Sequence, residues 1–173
     1  MKVTVQLVIE SEQGNSPQIS SVGEWQRSEP LQPSNLGLTL TESKKFLKNI
    51  QQTLVEEQIN QYQQVQSRCS DCDCAPRTGK ANRQLKPKGT HSLTYRTLFG
   101  TFKLNSLRLF HCDCKKTEQK SFSPLATLLS KRTSPERLYL ESKFASLMSY
   151  GLTVKLLEEI LPLEGKLNAA SVR

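Results

Sequence analysis

Apolar residues recur with different periods along this chain, and each period predicts a different element. Between Lys2 and Ile9 they alternate, placing Val3, Val5, Leu7 and Ile9 on one side, which predicts a short strand with one buried face. Glu10 to Asn35 shows no such order. Ser, Gln, Pro, Gly and Asn surround scattered Ile19, Val22 and Trp25, so a mobile connector is expected there. From Thr39 the period becomes helical. Thr39 and Glu42 are spaced as a capping box, no Pro or Gly follows until Pro76, and Phe46, Leu47, Ile50, Leu54, Val55, Ile59, Tyr62 and Val65 recur at helical spacing. A helix from Leu40 to about Gln66 would be roughly 40 Å long at ~1.5 Å per residue. It either packs on the rest of the chain or pairs with a second copy as a short coiled coil.

The period falls to two between Ser92 and Phe110. Leu93, Tyr95 and Thr97 alternate with polar neighbours, as do Phe102 and Leu104, which predicts a β-hairpin with Gly100 at its turn. The last third is helical again. Ser134 and Pro135 supply a helix start, with Thr133 and Glu136 spaced as a capping box. Leu138, Phe144, Ala145, Leu147 and Met148 then form an apolar stripe that Gly151 closes. A second helix is expected from about Thr153 to Leu161, burying Val154, Leu157, Ile160 and Leu161 and stopped by Pro162, with Asn168 as the N-cap of a third. The predicted class is α+β. It divides into a strand and polar linker (1–38), a long amphipathic helix (39–66), a hairpin module (67–121) and a helical segment (122–173).

Charge changes this picture by its placement. Residues 1–68 carry 6 basic and 7 acidic side chains, residues 69–135 carry 13 and 4, and residues 136–173 carry 5 and 5, so the net +8 comes from the middle third. A surface meeting phosphates has that character, and a solvated basic loop is the bland alternative. The densest part is Ala75 to Thr90, with Arg77, Lys80, Arg83, Lys86 and Lys88 and no acid. Lys103, Arg108, Lys115 and Lys116 continue it, and Lys120, Lys131 and Arg132 extend it further. No apolar run has the length of a membrane span, and the first residues do not form a signal peptide, so a cytoplasmic protein without a membrane partner is expected.

All five cysteines fall in the same basic third. Cys69-x-x-Cys72 precedes the hairpin and Cys112-x-Cys114 follows it. Two close thiolate pairs joined by a hairpin are what a tetrahedral zinc site in a ribbon module needs, and zinc is the expected cofactor. Cys74 complicates the first pair, because Cys72-Asp-Cys74 mirrors Cys112-Asp-Cys114. A thioredoxin-like redox role would need a βαβ context that is absent from the pattern. His91 and His111 flank the site and read as surface or packing residues.

Several strings here are similar to the N-terminal half of ISKra-type bacterial transposases. They are YRTLFGTFKL (Tyr95 to Leu104), SLRL (Ser106 to Leu109), CDC (Cys112 to Cys114), FSPL (Phe122 to Leu125), YLESK (Tyr139 to Lys143), ASL (Ala145 to Leu147) and SYGL (Ser149 to Leu152). Leu167-Asn168, the opening Met1 to Glu10 and Leu36 to Leu38 extend the likeness over nearly the whole chain. The resemblance implies a zinc-binding region and a helix-turn-helix that recognise the ends of the element, with a separate RNase-H-like domain whose DDE carboxylates cut and join DNA. It also matches Cys69, Cys72, Cys112 and Cys114 to the family's cysteine pairs.

The chain departs from that pattern in two places. The stretch from Cys72 to His91 is longer than usual and contains Cys74. The chain also stops where the family continues, with five residues after Asn168. Its only aspartates, Asp71, Asp73 and Asp113, all lie beside cysteines, so a non-catalytic, truncated DNA-binding fragment is expected. With the reading helix of the helix-turn-helix so short, base-specific affinity is expected to be weak. The other readings are a regulator that pairs with itself or with intact transposase through the long helix, and a zinc ribbon that binds protein or RNA.

Overall fold

The computed structural model describes residues 1–10, 16–27, 30, 32–69, 84–112, 114 and 120–163. In chain order the elements are strands β1 (Lys2–Ile9) and β2 (Gln18–Gln26), a short turn of 3-10 helix at Pro33–Asn35, and helix α1 (Leu40–Gln66). Strands β3 (Pro87–Thr97), β4 (Gly100–Phe110) and β5 (Ser121–Phe122) follow, then helices α2 (Pro124–Leu128), α3 (Pro135–Leu147) and α4 (Tyr150–Ile160). The chain is therefore α+β, with one sheet of order β1-β2 and another of order β3-β4-β5. It divides into two compact units, one of residues 1–55, 97–101 and 135–173 and one of residues 56–96 and 102–134. No described helix is long and apolar enough to cross a membrane.

In the first unit, β1 and β2 run antiparallel from Lys2 opposite Gln26 to Ile9 opposite Gln18. Strand β2 corrects the expectation of an unstructured connector over Glu10 to Asn35. Its register shifts between Val5 opposite Gly23 and Gln6 opposite Ser21, leaving Val22 as an extra residue. A bulge of this kind breaks the alternation by which a strand is read, so Val22 and Trp25 sit three apart although both lie in one strand. Val22 is the buried residue of β2, and its carbonyl accepts a hydrogen bond from Asn49 Nδ2 of α1 at 3.0 Å. Trp25 meets Phe46 of α1 edge to face at 5.3 Å between centroids. A Cβ at Gly23 would stand 2.3 Å from the Trp25 ring, so glycine there lets the indole fold back along its own strand.

The start of α1 is fastened by the residues the sequence singled out. Glu42 Oε2 accepts from the Thr39 backbone N–H at 2.9 Å, and Thr39 Oγ1 accepts from the Glu42 N–H at 3.2 Å, which closes the capping box. Arg27 donates to both oxygens of Glu42, at 2.7 and 2.8 Å, and to the Gly37 carbonyl at 2.7 Å. The Arg27 guanidinium, and after it the Thr39 backbone N–H, hold the Glu42 carboxyl at about 2, below its ordinary 4.5. A depressed carboxylate contributes stability that is present above the ordinary value and is lost as pH falls from there through the folded value. Glu42→Gln should therefore lower the melting temperature at pH 7, with the gap to the parent closing as both are melted toward pH 2. A gap of equal size at both ends would mean that the carboxylate charge is not its source.

Helices α3 and α4 also depart from expectation. The residues of α3 that are buried are Arg137 and Glu141, paired at 2.8 Å, whereas Leu138 and Leu147 of the expected stripe are exposed. An ion pair on the inner face removes the apolar signal that would have located that face. Gly151 does not close α3, which ends at Leu147. It lies within α4, which starts at Tyr150 and buries Thr153 and Leu157 but leaves Ile160 half exposed. Lys44 Nζ donates to the Glu158 carbonyl of α4 at 3.1 Å. The proposed third helix at Asn168 lies outside the described residues.

The second unit holds most of the β3-β4 hairpin. The turn falls on Leu98 and Phe99 and not on Gly100, which is the first residue of β4 with φ 147°. Strand β3 begins at Pro87, inside the stretch expected to be a basic loop. Residues 87–92 are exposed on both sides, so no buried face marked them as strand. Gln63 of α1 reaches β4 with both ends of its amide. Its Nε2 donates to the Asn105 carbonyl at 3.1 Å, and its Oε1 accepts from the Leu107 N–H at 2.7 Å. A buried glutamine thereby occupies edge positions of β4, on the side where β5 pairs only with Leu109 and Phe110.

Candidate metal centre and basic hairpin

The site forms where three short stretches of the second unit run side by side. After α1, the Leu85 N–H donates to the Ser67 carbonyl at 2.7 Å, and Arg68 bridges Gln84 antiparallel. At the end of the hairpin, the Phe110 N–H donates to the Lys86 carbonyl at 2.9 Å, and the His111 N–H to the Lys120 carbonyl at 3.2 Å. These bonds bring Cys69, which leaves the helix, next to Cys112, which leaves the hairpin. Both are buried with Leu85 and Leu109, with Leu107 and Phe122 packed against them.

The sulfurs of Cys69, Cys112 and Cys114 all lie within 4.8 Å of one another, and those of Cys69 and Cys114 are 3.4 Å apart. Tetrahedral coordination at ~2.3 Å per sulfur separates the sulfurs by about 3.8 Å, and a disulfide would bring two of them to ~2.05 Å. The separations therefore suit thiolates arranged around one cation. Three thiolates this close repel strongly unless a cation lies between them, and the apolar floor of the site strengthens both effects.

The structure brings together three of the four expected ligands. Cys72 and the alternative Cys74 lie outside the described residues. So do Arg77, Lys80, Arg83, Lys115 and Lys116 of the expected phosphate-binding set. His111 stacks on Phe122 at 4.5 Å between centroids, and His91 is exposed on β3, so neither joins the sulfur cluster. No protein-family model, curated protein or solved structure matches the chain.

The remaining basic residues of that set are placed. Lys86 is exposed just before β3, Lys88 is on β3, and Lys103 and Arg108 are on β4. Lys88 Nζ lies 5.6 Å from the centre of the Phe110 ring and donates to Ser121 Oγ at 3.2 Å. The periodicity gave no hint of a further cluster at the free edge of β3. There the Arg96 N–H donates to the Arg132 carbonyl and the Ser134 N–H to the Arg96 carbonyl, both at 2.8 Å, which draws Lys131 and Arg132 alongside Arg96. Among the described residues the second unit has nine basic side chains and two acidic ones, Glu56 and Glu57, against eight and seven in the first. The imbalance therefore belongs to the unit that holds the thiols.

Proposed function

We propose that this chain is a DNA-binding region of an ISKra-type transposase, in which zinc held by Cys69, Cys72, Cys112 and Cys114 ties the long helix to a basic hairpin. The observation that carries the reading is the convergence of three cysteine sulfurs at the base of two strands that contain no acidic residue. Thiolate-rich closed sites favour zinc, and closed sites of this kind hold structure together and do no chemistry. Its part in transposition is recognition, since the aspartates of this chain, Asp71, Asp73 and Asp113, all neighbour cysteines in the sequence. In this reading α3 and α4, joined through Met148 and Ser149, supply the first two helices of a helix-turn-helix, and the protein works at the element's ends in the bacterial cytoplasm.

Titration of the zinc-loaded chain into a fluorescent 30-base-pair duplex tests the reading. Affinity should fall steeply as salt rises, and Arg77, Lys80 and Arg83 changed together to Ala should make the log–log slope shallower by up to ~2.7 units if all three meet phosphates. An unchanged slope would leave that stretch as solvated surface, and no binding at low salt would overturn the reading.

A second reading, a regulator that pairs through α1, is favoured by one observation. Leu40, Leu47 and Leu54 stand seven residues apart on α1, and all three are exposed. If a second copy covers them, Leu47→Lys with Leu54→Lys should convert a dimer to a monomer in sedimentation. A parent chain that is already monomeric at micromolar concentration excludes it.

A further inference from the structure

We propose that the outward face of β3 and β4 is a two-stranded ribbon that enters the major groove of B-form DNA. This deepens the DNA-binding reading above and rests on it. On β3 the side chains of Leu93 and Thr97 are buried and that of Tyr95 is half-buried, while Lys88, Thr90, Ser92 and Arg96 face outward. On β4 Phe102, Leu104 and Ser106 are buried, and Lys103 and Asn105 between them are exposed. Nearer the base Leu107 and Leu109 pack with Cys69 and Cys112, so the open part of the outward face is the stretch of Lys103 and Asn105 beside Thr90, Ser92 and Arg96. Arg108 is exposed, and Lys88 lies over Phe110, at the base of the hairpin.

The composition of this face suits base edges as well as phosphates. Neither strand contains an acid, and the Arg96 bridge sets Lys131 and Arg132 along one margin. Between the cations stand Thr90, Ser92 and Asn105. Arg and Lys donate to guanine O6 and N7, Asn pairs with adenine, and Ser and Thr serve either. The dimensions choose the groove. Two strands ~4.8 Å apart, with their side chains, fill a major groove ~12 Å wide, whereas the ~6 Å minor groove excludes them. The deep, narrow major groove of A-form RNA excludes them too. Eleven residues at ~3.3 Å each extend about 36 Å, close to one turn of B-DNA.

The test uses the zinc-loaded full chain and three 30-base-pair probes of one mixed sequence. They are plain DNA, DNA whose cytosines carry glucosylated hydroxymethyl groups that fill the major groove, and duplex RNA. Binding should be about tenfold or more weaker to the filled groove and to RNA than to plain DNA, the loss of about one good base contact or more. Arg96 and Lys103 changed together to Ala should abolish that preference and make the salt slope shallower by up to ~1.8 units, with an unchanged melting curve. Equal affinity for open and filled grooves, measured on the parent chain, would overturn the ribbon while leaving DNA binding intact. Tighter binding to the RNA duplex would make RNA the partner and overturn it as well. Failure to bind any probe would overturn both the ribbon and the DNA-binding reading.

Discussion

Chelating the metal, or replacing Cys112 with Ser, is expected to unfold the second unit. Structural zinc contributes on the order of 10–16 kcal/mol in small modules, which matches or exceeds the ~5–15 kcal/mol by which whole domains are stable. Around Cys69 and Cys112 the buried side chains are Leu85 and Leu109, and the unit's other buried apolar groups, Leu93, Phe102, Leu104 and Leu125, offset only part of that loss. Two readouts separate its unfolding from collapse of the whole chain. Amide hydrogens of β3 and β4 should exchange fully within minutes once the metal is gone. Trp25, the chain's one tryptophan, lies in the first unit against Phe46, and its emission should stay that of the folded state. Cys74→Ser should leave metal content and exchange unchanged. If Cys74→Ser loses the metal, the first ligand pair is Cys72 with Cys74 and not Cys69 with Cys72.

The next largest effect should come from α3. Arg137 and Glu141 are an ion pair with side chains 6% and 8% exposed, and removing one partner takes a buried counter-charge away from the other. Glu141→Ala should therefore cost about 3–5 kcal/mol, measured from the denaturant midpoint of the Trp25 signal. The double substitution of Arg137→Met with Glu141→Leu should recover most of the loss, because no charge is then left behind. If the double variant is as unstable as the single one, packing against these side chains matters more than their charges.

The same pair shows why part of the fold was hidden in the sequence. An apolar stripe marks a buried helix face only where the buried residues are apolar, and α3 turns Arg137 and Glu141 inward. Strand β2 was hidden for a different reason, since the bulge at Val22 breaks the period of two. The long helix was legible because Thr39 and Glu42 fix its start by local chemistry that needs no tertiary context. The hairpin was legible where Leu93, Phe102 and Leu104 give it a buried side, and illegible over residues 87–92, which have none.

At the site, cysteine spacing pointed to two thiol pairs that could hold a metal, and the sulfurs of Cys69, Cys112 and Cys114 do converge. Spacing could not announce the bridge that sets Lys131 and Arg132 beside Arg96, because it joins residues about 36 apart in sequence that share no pattern. Nor could it show that Gln63 of α1 would complete the edge of β4.

The most direct measurement is a joint count of zinc and reactive thiols on the purified, reduced chain under native conditions. Four thiolates around one ion leave one of the five cysteines able to react, so the account requires one zinc and one fast-reacting thiol per chain, with the other four released only on chelation. Less than about half a zinc per chain, together with five thiols that react at once, would contradict it.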